Sequence, residues 1–234
     1  MGQTRVITLM PKSRLNIDLH VHTCYSPDSL TSLDKLIDRC QLVKLSCIAI
    51  TDHNTITGAL AVKEKAPFQV IVGEEIRTTQ GDIIGLFLSQ VIPRGLTPEE
   101  TVKNIKEQNG LVVIPHPFDR IRSSVLQPGA LENILPHADL IETFNARNRF
   151  SKTDDKASEM ANTLGISGCA VSDSHTLGEL GTTYTSIDEF DGTPAGLLNA
   201  VKNGSLVRKR SSALVHMAST YAKLRHRVRW VYQC

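Results

Sequence analysis

The heptapeptide IDLHVHT, Ile17 to Thr23, decides how the rest of the chain is read. Ile17, Leu19 and Val21 alternate with Asp18, His20 and His22, the period-2 pattern of a β-strand. Alternate side chains of a strand share a face, so the pattern predicts Asp18, His20 and His22 pointing one way. One carboxylate and two imidazoles at a strand end can chelate a cation if other strands deliver partners to the same place.

Other strands do. The apolar run CIAI ends in TDHN with Asp52 and His53, QVIV ends in GEE with Glu74 and Glu75, and LVVI ends in PHP with His116. LIETFN carries Glu142, and CAV runs into SDSH with Asp173 and His175. Five of the eight histidines thus follow apolar strand-like runs. Each motif alone has a plain structural reading: a helix cap for TDHN or SDSH, a rigid strand exit for PHP. Their joint occurrence points to a divalent metal site, because neutral imidazole and ionised carboxylate are ligands of Zn²⁺, Mn²⁺ and Fe²⁺. Two cations about 3.5–4 Å apart can clamp a phosphate during in-line displacement.

Between the strands lie helical patterns. Residues 32–44 place Leu33, Leu36, Ile37, Cys40 and Val43 on one face, with Thr31 or Ser32 as N-cap. The segment from Thr97 to Gly110 has a capping Thr, Pro98 at the first helical position and Glu100 three after the cap. Residues 151–165 end at Gly165, suited to a left-handed stop, and residues 193–204 repeat the Thr-Pro start. Phe118 to Gly129 reads as the longest loop. Strands alternating with helices predict an α/β fold with a largely parallel sheet, whose ligand sites lie at the C-terminal strand ends.

The ordered set DLHVHT, TDHN, GEE, PHP and SDSH resembles the successive signatures of the PHP (polymerase and histidinol phosphatase) superfamily, over about Asn16 to Arg210. The resemblance implies a distorted (β/α)7 barrel, related to the TIM barrel, with two or three divalent metals (Mn, Zn or Fe) at its C-terminal rim. It also implies hydrolysis of phosphate esters. Carried onto this chain, it places a first metal on His20, His22, Glu75 and Asp173. A second falls on Asp28, His53, Glu75 and His175, with Glu75 bridging. A third uses His116 and a residue on the strand GDIIGLFL, Gly81 to Leu88, with Asp82 the candidate. Asp82 stands where many relatives have a histidine, and the loop around Asp28 is one residue longer than in some.

The expected reaction is metal-assisted hydrolysis of a phosphomonoester or nucleotide-type substrate through a metal-bridging hydroxide. Arg147, just past a strand, is the candidate phosphate clamp, with Arg120 and Arg122 as weaker ones. His175 is the candidate proton donor to the leaving oxygen. Asp18, Asp52 and Glu142 are expected to support the ligands. No nucleophile-elbow or phosphate-loop motif competes. Aromatic residues make up 5% of the chain, so stacking platforms for a long single strand are few, and a compact phosphatase is favoured. The alternatives are a phosphodiesterase or exonuclease on short oligonucleotides, and a metal-stabilised binding domain without turnover.

The 234 residues, 41% apolar and 21% charged, have the composition of a soluble globular protein. The net charge of +2 conceals an asymmetry: seven basic and no acidic residues follow position 207, leaving the body at −5. An acidic body argues against a general nucleic-acid binder. The division expected is a barrel over 1–210 and a basic amphipathic helix over 211–234. In that helix Leu214, Met217, Tyr221, Leu224 and Val228 keep helical spacing. It either packs on the barrel with a solvated basic face or anchors to anionic lipid or nucleic acid. No apolar h-region opens the chain and no run is long enough to span a bilayer. Five cysteines without C-x-x-C spacing read as free thiols, so a cytoplasmic protein is expected.

Overall fold

The computed structural model describes residues 14–119 and 121–228. Arg120, the start of the chain and residues 229–234, Cys234 among them, lie outside the described residues.

Among the described residues nine strands form one sheet: β1 (Arg14–Val21), β2 (Cys47–Ile50), β3 (Gln69–Thr78), β4 (Gly81–Leu86), β5 (Leu111–Ile114), β6 (Leu140–Asn145), β7 (Ser167–Val171), β8 (Tyr184–Asp188) and β9 (Ser205–Val207). Their order is β7-β6-β5-β4-β3-β2-β1-β8-β9. A parallel bridge from Val21 to Ser174, beyond the end of β7, draws the two sides of the sheet together into a nearly closed barrel. Seven α-helices of the described residues accompany it: α1 (Leu33–Leu42), α2 (Thr57–Lys65), α3 (Pro98–Glu107), α4 (Pro128–Ile134), α5 (Ser151–Leu164), α6 (Pro194–Lys202) and α7 (Val215–Val228).

The predicted boundaries hold where capping chemistry is explicit. Thr97 accepts from the Glu100 N–H while the Glu100 side chain returns to the Thr97 N–H, and α5 stops at Gly165 with φ 67°. The long loop is shorter than expected because α4 begins at Pro128. The sheet is not uniformly parallel either. β1-β2-β3 and β5-β6-β7 are parallel runs, but β4 pairs antiparallel with both β3 and β5, and β8 and β9 are antiparallel. The cause is the tight turn from Thr78 to Gly81, which folds β4 straight back on β3 with no crossover helix. β4 therefore starts at the rim where its parallel neighbours finish.

Two apolar layers hold the barrel. Leu36, Val62, Val102, Ile105 and Ile134 of the surrounding helices pack on Ile48, Ile50, Val70, Val72 and Val112. Ile17, Ala49, Ile71, Ile84, Val113, Leu140 and Val171 from seven strands fill the interior together with Leu197 and Val201 of α6. At roughly 25 cal/mol per Å² of apolar area buried, these layers supply the main stabilisation of the frame. Cys40, Cys47 and Cys169 carry buried free thiols; Cys24 is disulfide-bonded, which corrects the free-thiol expectation for that residue. Among the described residues no helix is long and apolar enough to cross a membrane.

Candidate metal centre

The opening stretch departs from simple alternation. The β1–β2 register shifts between Asp18 and Val21, and Leu19 packs with the interior layer whereas Val21 packs with the outer one. This bulge separates Asp18 from the two histidines. Asp18 instead accepts the Ser172 N–H at 3.0 Å and the His20 N–H at 3.4 Å, bracing both strands that carry the cluster. Its burial pushes the carboxyl up to about 7.

His20 and His22 point into the barrel mouth, fully buried, with their Nε2 atoms 2.9 Å apart. The far side of each ring is engaged. His20 Nδ1 lies 2.6 Å from Glu142 Oε1, an anion that only accepts, so Nδ1 carries a proton. Ser26 Oγ donates to Asp52 Oδ1 at 3.0 Å and therefore accepts from His22 Nδ1 at 2.9 Å. The two Nε2 atoms are therefore the ring nitrogens turned toward each other and toward Glu75 and Asp173. The carboxylates of Asp173, Glu142 and Glu75 outweigh burial and hold His20 well above the ordinary imidazole range, while burial and then the neighbouring His175 push His22 down to about 3.

Glu75 sits among four histidines. Its Oε2 is 3.4 Å from His20 and His22 Nε2 and 3.1 Å from His53 Nδ1, and its Oε1 is 3.3 Å from His116 Nε2. Burial opposes its charge, but His53 and His20 keep the carboxylate well below its usual range. Asp28 lies 3.3 Å from both His53 Nε2 and His175 Nε2, and Asp173 Oδ1 is 3.5 Å from His20 and His22 Nε2. Asp82, at the start of β4, is buried against Arg77 at 2.8 Å, and burial followed by the charge of Glu75 raises it to about 6.

All nine residues expected as ligands thus converge. Three donor sets place their ligand atoms within 4.8 Å of one another: His22, Asp28, His53 and His175; His20, His22 and Glu75; and His53, Glu75 and Asp82. Asp82 meets His53 here, while His116 reaches Glu75 from the other oxygen. The donor set fits divalent cations: two imidazole Nε2 atoms turned toward each other, a carboxylate with histidines on four sides, and Asp173 Oδ1 buried without a hydrogen-bond donor. His116 and Asp173 have positive φ, 29° and 52°, a backbone cost concentrated at the rim.

The supporting groups are as closely made. Glu142 Oε2 accepts from the His116 N–H at 2.8 Å and Asn145 Nδ2 at 2.9 Å. Asp52 takes the Thr23 N–H and hydroxyl, each at 2.6 Å. Arg147 is committed in every direction: Nη1 lies 2.5 Å from His175 Nδ1, Nη2 donates to Val215 O at 3.1 Å and Ser219 Oγ at 2.8 Å, and Nε faces Glu179 at 3.4 Å. Arg122 is paired with Asp173 at 2.5 Å and Asp119 at 3.1 Å. Sequence reading did not single out Arg77, Glu179, Ser26, His216, Ser219 or Lys223, which come from positions with no strand-end signature. A cavity of about 440 Å³ opens above the cluster, lined on its outer side by Arg77, Arg122, His216, Thr220 and Lys223.

Fold and rim together define an α/β-barrel protein with a metal-capable centre of histidines and carboxylates. Residues 18–125 match the PHP domain family and residues 154–206 the PHP-associated family; the chain belongs to the PHP family. Two proteins of Methanocaldococcus jannaschii, both described as uncharacterized, are similar to it. One is 40% identical over 150 residues, 58% of this chain and 84% of its own length. The other is 32% identical over 221 residues, 93% of this chain and 90% of its own length. Among solved structures, a two-domain Bacteroides vulgatus protein containing a predicted PHP-like metal-dependent phosphoesterase superposes with TM-score 0.70 at 17% identity, over 95% of this chain and 75% of that one. PsfC of Pseudomonas syringae superposes with TM-score 0.64 at 16% identity, over 92% and 98% of the two chains. The lesion-specific endonuclease EndoQ of Pyrococcus furiosus gives TM-score 0.57 at 14% identity, over 83% and 58%. These likenesses establish the shared fold.

Proposed function

We propose that the protein is a metal-dependent phosphoesterase acting on a phosphomonoester or nucleotide-type substrate. The observation that carries this reading is the facing pair of His20 and His22 Nε2 atoms beside the Glu75 carboxylate. His20, His22, Glu75 and Asp173 would hold one cation; Asp28, His53, Glu75 and His175 a second; His116 and Asp82 would contribute to a third. Mn, Zn or Fe would supply Lewis acidity toward phosphoryl oxygens and a lowered pKa for bound water.

The chain's own groups set the stage for that chemistry. Glu142 and Ser26 fix the two imidazoles with Nε2 toward Glu75 and Asp173. Arg147, with its nitrogens already partnered, acts as a positioning residue for His175 rather than as a loose phosphate clamp. Where His175 does not itself ligate the second cation, its Nε2, at the cavity beside Asp28, would deliver a proton to a leaving oxygen. The cavity's size suits a small ligand, which favours a monoester over a polymer.

The test is turnover by purified protein with Mn²⁺ against p-nitrophenyl phosphate and bis-p-nitrophenyl phosphate, with metal content measured by mass spectrometry on the same sample. Hydrolysis of the first compound alone is expected. Hydrolysis of the second alone would replace the reading with a diesterase, and bound metal without turnover of either would replace it with a binding domain.

A further inference from the structure

α7 lies on the barrel the opposite way round from an ordinary surface helix. Its large residues Met217, Tyr221 and Leu224 are 56–68% exposed, while the small Ser219 and Ala222 are buried on the side facing the barrel. A helix turns its polar face inward only where what it covers is polar, and here it covers the cavity above the metal-capable cluster. Four contacts fasten it: Arg147 donates to Val215 O and Ser219 Oγ, Lys223 Nζ lies 3.4 Å from Asp28 Oδ2, and His226 Nε2 lies 3.0 Å from the carbonyl of Ser29. The small side chains of Ser219 and Ala222 let the helix axis come close.

The cations at this mouth differ in how they are held. Arg77 is tied to Asp82, Arg122 to Asp119 and Asp173, and Arg147 to Glu179 and His175. Lys223 pairs only with Asp28 among the described acidic residues, its side chain is 57% exposed, and Asp28 is already shared with two histidines. A divalent cation at Asp28 would take up that carboxylate and repel the ammonium, leaving Lys223 on its flexible stem at the cavity opening. A point charge on four rotatable bonds can follow a tetrahedral phosphate.

We propose that Lys223 is a specificity-determining residue: carried on the roof formed by α7, it binds a non-bridging oxygen of the substrate's phosphate group. The proposal rests on the phosphoesterase reading above and adds the residue that recognises the anion from outside the rim. It confines good substrates to those presenting a terminal phosphate beneath α7.

The experiment uses the full chain loaded with Mn²⁺, comparing wild type with Lys223→Ala and Lys223→Arg. Inorganic phosphate binding is measured by calorimetry, p-nitrophenyl phosphate kinetics in parallel, and melting temperature and Mn²⁺ affinity as controls. Lys223→Ala is expected to weaken phosphate binding and raise KM about tenfold, with kcat within about threefold, and Lys223→Arg to restore most of the loss. Unchanged phosphate affinity in Lys223→Ala overturns the proposal, and tighter Mn²⁺ binding in that case would assign Lys223 to Asp28 alone. Should the wild type show no turnover, the phosphoesterase reading falls while calorimetry still decides the role of Lys223. Wild-type protein that also binds no phosphate overturns both.

Discussion

His20 Nε2 and His22 Nε2 stand 2.9 Å apart with the opposite nitrogen of each ring already occupied, by Glu142 and by Ser26. At that separation the two nitrogens need a positive charge between them, and the surrounding carboxylates supply it by holding a proton on His20. A divalent cation taken up by both rings and Glu75 would replace that proton, and a ligand bound by the native state alone stabilises it.

Mn²⁺ at 100 times its Kd should therefore stabilise the chain by about 2.7 kcal/mol, a rise in Tm of roughly 5–10 °C over chelator-treated protein. His22→Ala should lose most of this increment in differential scanning calorimetry. An equal increment in both chains would place the cation elsewhere.

Glu142 touches three groups of the cluster without facing the cavity: His20 Nδ1, the His116 N–H and Asn145. Glu142→Gln removes the anion that fixes the His20 tautomer and should weaken metal affinity about 10–100-fold. Competition against a fluorescent chelator reads this directly. Affinity equal to wild type would mean that the tautomer is set some other way.

Gly58 lies in α2, where an alanine would ordinarily favour the helix by up to about 1 kcal/mol. Here the sign reverses. A Cβ at Gly58 would come within 2.2 Å of Asp52 Oδ2 and 2.6 Å of Thr23 Oγ1. Gly58→Ala should cost about 1–3 kcal/mol in urea unfolding and disturb the Asp52–Ser26–His22 chain, so metal affinity should fall with it. A stabilised variant would contradict the close approach.

Glu74 points away from the cluster that Glu75 joins, and accepts only the Ile92 N–H, at 2.9 Å. Burial raises its carboxyl from 4.5 to about 7, so between those pH values the native state holds a proton that the unfolded chain has released. The stabilisation is complete below pH 4.5, declines as pH rises, and is gone above about 7, an effect of about 3 kcal/mol. Glu74→Gln should flatten this part of the stability profile. A slope unchanged by the substitution would shift the origin to another group.

The strand-end histidines and acids were legible because each follows an apolar run that has nowhere to go but the barrel wall. The start of α3 and the stop of α5 were legible because Thr97, Glu100 and Gly165 make local contacts that neighbouring residues alone determine. The bulge that turns Asp18 aside was hidden, since it depends on register with β2 rather than on the order of residues in β1. α2 and α4 were hidden for another reason: the first carries a glycine beside a short apolar stretch, and the second is only seven residues long. Arg77, Glu179 and Lys223 reach the site from a hairpin, a loop and a distant helix, where nothing in the local pattern marks a basic or acidic side chain as turned inward.

The reversal of chain direction at Gly81 has a consequence for how this centre can vary. Asp82 pairs across the hairpin with Arg77, and Ile84 with Glu75, so Asp82 faces the metal-capable cluster only because the turn holds that alignment. With the two strands re-paired, deleting one residue between Thr78 and Gly81 would bring Ile83 opposite Arg77, and adding one would bring Gly81 there, either change sending the carboxylate outward. The innermost donors stand on other strands and would keep their places. Loop length at one bend is thus a dial on whether a carboxylate joins His53 and Glu75 at the rim, separable from the rest of the barrel.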